Sequence, residues 1–179
     1  MTRKQGLDPS NYTIWNSAER PQKIITALNI IQDIILKDHI FFMGGGHRFG
    51  WATSNSDLDL FIYEDKPTVP HTDIEHYYNN GEPYPSDSIS SVARLIYSES
   101  RYPGQHWNTN IFNVSVDLLI FYDFDEYNNL YNEHNIIEKL LVNNPVLQQY
   151  LKFSEGIAGK SKYKVLKKLL VVEGLIKKG

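Results

Sequence analysis

Apolar residues recur along the chain with two different periods, which predict helices near both ends and strands between them. Over residues 21–37 they recur at steps of three and four, which predicts an amphipathic helix with a proline in its first turn. Residues 39–43 form a short apolar run that stops at three glycines, as a buried strand entering a tight turn does. Over residues 56–64 acidic and apolar positions alternate, which predicts a second strand.

The rest of the chain adds strands and then helices. Residues 92–97 and 110–122 are predicted as strands that pair antiparallel across a turn-rich stretch with Pro103-Gly104. Residues 65–88 have weak periodicity, and we expect a long irregular connection there with one short helix near 72–78. Helical periodicity returns over residues 136–141, 146–151 and 161–172. The prediction is an α+β fold with a mixed β-sheet flanked by helices and a C-terminal helical segment.

Composition limits the chemistry that the chain can perform. Its 179 residues suffice for one core, and 41% hydrophobic and 22% charged residues are ordinary for a soluble globular protein. The absence of cysteine excludes disulfides, thiolate zinc sites and thiol nucleophiles, so a metal would be held by oxygen or imidazole ligands, which favours Mg²⁺ or Mn²⁺. No run approaches the roughly 18 apolar residues of a membrane span, so we expect a cytoplasmic protein without a membrane partner.

Charge is distributed unevenly along the chain. Residues 151–179 hold eight lysines and two glutamates, a net charge of +6, which leaves −9 for residues 1–150 of a chain with net charge −3. A basic segment can attract a phosphate backbone or can be a solvated helix face, and both interpretations stay open. The lysines that favour a polynucleotide are Lys160, Lys162, Lys164, Lys167 and Lys168.

A glycine turn followed by two carboxylates is the part of the sequence that indicates chemistry. Glycines at 44–46 allow backbone N–H groups to approach an anion closely, and a helix beginning near Arg48 would direct its positive end to the same place. We expect this turn to hold a triphosphate.

Three aspartates are the candidate metal ligands. Asp57 and Asp59 project from one face of a strand, where two ionised carboxylates repel each other unless a cation lies between them. Mg²⁺ suits such oxygen ligands and is completed by water and substrate phosphates. Asp117 lies in an apolar run predicted as a neighbouring strand, and a third carboxylate there would allow a second ion, as in-line displacement at phosphorus uses.

These residues resemble the DNA-polymerase-beta-like nucleotidyltransferase superfamily. Its small prokaryotic members carry Gly-Ser-Arg-x-x-Gly-x-Ala-x-x-x-Ser-Asp-x-Asp, which aligns without a gap onto residues 45–59. The matching positions are Gly45, Gly50, Ala52, Ser56, Asp57 and Asp59. The resemblance covers residues 22–122, and it implies a nucleotidyltransferase fold with a catalytic domain over residues 1–125 and a helical segment over 126–179 packed on it.

The resemblance also implies an activity. We expect a metal-dependent nucleotidyltransferase that transfers a nucleoside monophosphate from a nucleoside triphosphate to an acceptor hydroxyl and releases pyrophosphate. Asp57 and Asp59 would hold the metal, and Asp117 would complete a second site and help deprotonate the hydroxyl. The residues that would bind the nucleotide are Gly45, Gly46, Arg48 and Ser56. The acceptor is RNA or another polynucleotide in the interpretation that the basic tail favours, with a small molecule or a protein as alternatives.

Two positions depart from the family pattern. Gly46 replaces the serine of the Gly-Ser pair and His47 replaces the arginine after it, so Arg48 or backbone N–H groups would have to contact the phosphates instead. These departures motivate a second hypothesis, a module without turnover that acts as a binding or regulatory partner of the antitoxin type. A metal-dependent phosphohydrolase is a third. Trp51 is predicted to pack in the core, and His39, His71, His76, His106 and His134 have no ligand spacing.

Overall fold

A mixed sheet with helices on both faces forms the centre of the protein. The computed structural model describes residues 22–52, 56–64, 93–98, 104–153 and 159–177. The strands are β1 (Ile40–Gly44), β2 (Leu58–Tyr63), β3 (Arg94–Ser98), β4 (Gln105–Ile111) and β5 (Val114–Phe121). The helices are α1 (Gln22–Ile30), continued by a π-helical turn (Ile31–Ile35), then α2 (Gly45–Phe49), α3 (Phe124–Val142), α4 (Pro145–Phe153) and α5 (Gly159–Val172). The α+β class is confirmed, whereas the helix predicted near 72–78 lies outside the described residues.

Strand order places the two strands with candidate aspartates side by side. The order in the sheet is β1-β2-β5-β4-β3. β2 and β5 run parallel, and each other neighbouring pair runs antiparallel. Because a parallel pair cannot be joined by a tight turn, the chain between β2 and β5 passes through β3 and β4 at the far edge of the sheet.

The two faces of the sheet are covered differently. Alternate residues of β2 and β5 are fully buried, as period-two strands require. One face packs on α1 in the largest apolar cluster, which includes Leu28, Leu60, Trp107 and Leu118. On the opposite face, Phe42 and Phe121 pack with Tyr127 and Tyr131 of α3. The half of this second face nearer the starts of β2 and β5 carries polar side chains.

The prediction of one strand over residues 110–122 was wrong. The chain reverses at Phe112 and Asn113, which have φ of 49° and 62°, so β4 ends at Ile111 and β5 begins at Val114. Two consecutive residues with positive φ make the tightest hairpin connection. The sequence had suggested that β3 pairs with β5. In the structure β3 pairs with β4 instead.

α3 begins at Phe124, twelve residues before the helical period that the aliphatic residues show from position 136. Its first turn is capped by a side chain. The Asp123 carboxylate accepts hydrogen bonds from the backbone N–H groups of Asp125 (2.8 Å) and Glu126 (3.0 Å). Its buried positions in the first half are Tyr127, Tyr131 and His134, spaced by four and three residues. The period was therefore present in the sequence, but aromatic residues carried it.

The C-terminal helices pack on the glycine-turn segment. Phe49 and Trp51 share an apolar cluster with residues of α3, α4 and α5, among them Ile137, Leu151 and Leu166. Trp51 is 8% exposed and its ring lies 5.2 Å from that of Phe49, so its predicted place in the core is confirmed. Residues before and after position 125, the predicted boundary between the catalytic domain and the helical segment, thus contribute to one apolar cluster.

Candidate functional site

The glycine turn brings the backbone of Gly45 against the carboxylate of Asp59. β1 ends at Gly44 and α2 begins at Gly45, three residues before Arg48, where the helix was expected to begin. Gly45 has φ +67°, and a Cβ there would lie 2.1 Å from Asp59 Oδ2. Both the conformation and the space require glycine. The turn and the second aspartate of the motif therefore form one contact surface.

Asp59 and Asp117 face each other across two parallel strands. They are Cα partners in the β2–β5 register, and neighbouring strands lie about 4.8 Å apart. Both side chains are half-buried. Like charges directly opposite each other destabilise a sheet, and a cation between them removes that repulsion. The structure thus brings together the second and third of the three predicted aspartates.

Asp57 occupies a different environment. It lies just before β2 and is exposed, and no ion pair or hydrogen bond joins it to the described residues. In the described part of the chain, no group of three or more His, Asp or Glu side chains is placed to hold a metal ion. The three-carboxylate cluster therefore stays a prediction, whereas the pair of Asp59 and Asp117 is a feature of the fold.

The pair fits a hard cation such as Mg²⁺. Its donors are carboxylate oxygens, and the glycine at position 45 leaves no side chain between Asp59 Oδ2 and the turn. Mg²⁺ commonly takes only one or two carboxylates from a protein and completes its shell with water and substrate phosphates. Two carboxylates beside a half-buried glycine turn meet that requirement without a third protein ligand.

Two residues of β4 that the sequence analysis did not single out as functional contact Asp117. His106 Nε2 lies 2.9 Å and Asn108 Nδ2 lies 2.8 Å from Asp117 Oδ1, so both donate to the same carboxylate oxygen. In the described part of the chain, Asp117 Oδ2 accepts no hydrogen bond. The signal in the sequence was the alternation His106, Asn108, Asn110 within residues 105–111, which was overlooked because β4 was not predicted.

Arg48, which the sequence analysis named as a candidate phosphate contact, is buried behind the turn. It is 2% exposed, and its guanidinium donates to Glu138 Oε2 (2.9 Å), Asn135 Oδ1 (2.6 Å) and the Met43 carbonyl (3.2 Å). Burial raises the pKa of Glu138, while the charge of Arg48 opposes that shift. These contacts tie α2 to α3, so we leave Arg48 out of the proposed phosphate contacts.

His47 and Ser56 also have roles in holding the turn. His47 is 3% exposed, and its Nε2 donates to the Ser56 carbonyl at 3.0 Å. This bond joins α2 to the residue immediately before Asp57 across the 53–55 segment. The position that carries arginine in the resembling family is therefore a buried imidazole here.

His134 lies directly behind the glycine turn. A Cβ on Gly44 would approach His134 Nε2 to 2.7 Å, and the ring stacks near Phe49 (5.4 Å between centroids) and meets Phe42 edge-on (5.2 Å). His134 Nδ1 donates to the Leu130 carbonyl at 2.9 Å. Burial lowers the pKa of His134 to about 3, and the charge of Arg48 contributes in the same direction. The ring is therefore neutral, with its proton on Nδ1.

The lysines of the basic tail do not form one exposed face. Lys162 is 6% exposed, and Lys167 lies 3.5 Å from Glu133 Oε1 in an ion pair with α3. Lys164 and Lys168 are exposed, one helical turn apart. The side chain of Lys160 lies outside what the structure describes. Two of the five lysines thus have partly structural roles.

A scan of the chain against models of known protein families gave no match, and neither did a search of curated protein sequences. The relation to the nucleotidyltransferase superfamily therefore rests on the motif residues and stays a prediction. Of the helices in the described ranges, none combines the length and the apolar character needed to cross a bilayer.

Proposed function

We propose that the protein is a metal-dependent nucleotidyltransferase that transfers a nucleoside monophosphate from a nucleoside triphosphate to an acceptor hydroxyl. One observation carries the proposal: Asp59 and Asp117 are Cα partners on parallel strands, and the Asp59 carboxylate lies against the backbone of Gly45. A glycine turn beside paired carboxylates suits a ligand that combines phosphates with a divalent cation.

The roles of the residues follow from their positions. Asp59 and Asp117 would hold Mg²⁺ or Mn²⁺, with Asp57 at the exposed entrance as a further ligand. When bound, the metal ion neutralises charge on the phosphates and makes the α-phosphorus a better electrophile. Gly45 and Gly46 would present backbone N–H groups to the β- and γ-phosphates, since neither has a side chain to keep an anion away.

The reaction forms one bond and breaks one. The acceptor oxygen bonds to the α-phosphorus, the bond from that phosphorus to the bridging oxygen breaks, and pyrophosphate leaves with the bond electrons. The hydroxyl proton must go to a base near the acceptor. Asp117 Oδ2 is the carboxylate oxygen suited to accept it, because both hydrogen bonds that the described residues give Asp117 end on Oδ1.

RNA or another polynucleotide is the acceptor that we propose first. Lys164 and Lys168 provide an exposed basic pair on α5, and phosphate contacts by lysines make binding depend on salt. A small molecule or a protein hydroxyl would not require these lysines. Affinity for RNA that falls as salt rises, and falls further in a Lys164→Ala/Lys168→Ala variant, supports the polynucleotide.

A module without turnover is the second candidate. The observation that favours it is His47, which is 3% exposed and bonded to the Ser56 carbonyl, so the side chain at the position of the family's arginine is withdrawn from solvent. Such a module would still bind a nucleotide with metal but would release it unchanged. Nucleotide binding without transfer is therefore the result that separates the two functions.

The test is transfer of label from each α-labelled nucleoside triphosphate, with Mg²⁺ or Mn²⁺, to RNA, DNA, protein or a hydroxyl-rich small molecule. We expect Asp59→Asn and Asp117→Asn to reduce transfer by about 100-fold or more, because each substitution removes a carboxylate charge at almost constant volume. Asp125→Asn, at an exposed position in the first turn of α3, is the matched control and should keep full activity. Transfer that survives both site substitutions would refute the proposal.

A further inference from the structure

Asp117 is held by two donors on one of its two carboxylate oxygens. His106 Nε2 and Asn108 Nδ2 both reach Oδ1, at 2.9 and 2.8 Å. The carboxylate torsion of an aspartate is broad when nothing restrains it. Two hydrogen bonds from different side chains to the same oxygen restrain it, and they leave Oδ2 as the oxygen directed elsewhere.

Both donors lie on β4, a strand inside the sheet. β4 pairs antiparallel with β5, and Asn108 is the Cα partner of Asp117 while His106 is the partner of Leu119. Residues two apart on a strand share a face, so both side chains lie on the face that carries the aspartates. Asn108 Nδ2 also lies 3.1 Å from Ser115 Oγ and 3.3 Å from the Val116 carbonyl, which fixes the amide itself.

We propose that His106 and Asn108 are positioning residues, which hold the Asp117 carboxylate by Oδ1 so that Oδ2 is left for the metal ion and the acceptor hydroxyl. The role given to Oδ2 rests on the proposed function. The two hydrogen bonds to Oδ1 do not depend on it. Groups that orient a metal-binding carboxylate commonly change metal affinity 10- to 100-fold when they are removed.

A purely structural role predicts something different. If the two bonds served only to join β4 to β5, their loss would lower stability and leave metal affinity unchanged. If they position Asp117, their loss lowers metal affinity even in protein that is fully folded at the assay temperature. Metal affinity and stability must therefore be measured on the same variants.

The experiment is Mn²⁺ binding to the full chain, followed by the electron paramagnetic resonance signal of free Mn²⁺, beside thermal unfolding. His106→Ala and Asn108→Ala should each weaken binding by about 10-fold or more. His106→Gln keeps an N–H donor and should recover most of the loss. Asn110→Ala is the matched control, because Asn110 is an exposed residue on the same strand and face, and it should bind Mn²⁺ as the parent does.

Nuclear magnetic resonance of the ring nitrogens tests the contact without metal or substrate. His106 should carry its proton on Nε2 in the parent, and its signals should shift in Asp117→Asn. Unchanged Mn²⁺ affinity in His106→Ala, with parent binding intact, would overturn the inference and leave the proposed function standing. A parent that binds no Mn²⁺ would overturn both, even if the ring signals report the hydrogen bond.

Discussion

Acidification should destabilise this protein through His134, the histidine enclosed behind the glycine turn. Its side chain is 2% exposed, and burial lowers its pKa from 6.5 to about 3, with the charges of Arg48 and Lys167 acting in the same direction. The hydrogen bond from Nδ1 to the Leu130 carbonyl opposes the shift but does not overcome it. The folded state therefore excludes a proton that the unfolded chain binds readily.

The sign and the size of the effect follow from these two pKa values. Above pH 6.5 the imidazole is neutral in both states and contributes no pH dependence. Below pH 6.5 the unfolded chain takes up a proton that the folded state refuses until the pH reaches about 3. By linkage, the folded state should lose about 2 kcal/mol between pH 7.5 and pH 5, and about 5 kcal/mol in all below pH 3.

The measurement is the free energy of unfolding by urea at pH 7.5, 6 and 5, for the parent and for His134→Phe. Phenylalanine keeps an aromatic ring beside Phe42 and Phe49 but has no group that titrates. The parent should lose about 2 kcal/mol more than the variant over this range. The comparison also cancels Glu138, whose raised pKa acts in the opposite direction, since its contribution is present at low pH and is lost as the pH rises.

Equal pH dependence in the parent and His134→Phe would refute this reasoning. A direct check is the nuclear magnetic resonance signal of the ring. His134 should show the tautomer with its proton on Nδ1 and should not titrate between pH 7.5 and pH 5. A midpoint near 6.5 would mean that water reaches the ring.

Two further substitutions test the packing of the turn. Gly45→Ala should reduce nucleotide transfer and metal affinity at least 10-fold, because its Cβ would collide with the Asp59 carboxylate. Gly174→Ala controls for backbone strain alone, because Gly174 has φ +72° and a Cβ there would have no atom within 4 Å. Arg48→Met should lower the free energy of unfolding by about 3–5 kcal/mol at pH 8 by leaving the Glu138 carboxylate buried without its cation, as urea unfolding would show. That loss should shrink at lower pH, where Glu138 takes up a proton. A loss below 1 kcal/mol at pH 8 would contradict the claim that Arg48 neutralises the buried Glu138 carboxylate.

The sequence predicted the strands and helices whose apolar period is regular. β1, β2 and α1 lie close to where the period of two or of three to four residues placed them. β4 was missed because its hairpin turn uses Phe112 and Asn113, without the glycine that usually marks two residues with positive φ. The first half of α3 was missed because its inward face is built from tyrosines and a histidine, which a search for aliphatic residues overlooks.

The candidate site was predictable in part, for a related reason. A short motif with fixed spacing located Gly45 and Asp59, and the apolar run around position 117 located the third aspartate. The partners of Asp117 could not be located in this way, because the contact of His106 with it depends on the register between two strands. Register is set by the whole sheet and by a turn that was not recognised.

The difference between the front and the back of the glycine turn explains why the motif alone misplaced Arg48. On the front, the backbone of Gly45 meets Asp59. On the back, Arg48 is buried against α3, which also supplies His134, and the C-terminal helices cover Phe49. A cation inside α2 has to be neutralised where it is buried, and Glu138 does this from a helix 90 residues further along the chain. The geometry of the turn therefore depends on the C-terminal segment. Removing α3 to α5 should abolish the binding of metal and nucleotide at the turn, although none of the residues proposed to bind them is removed.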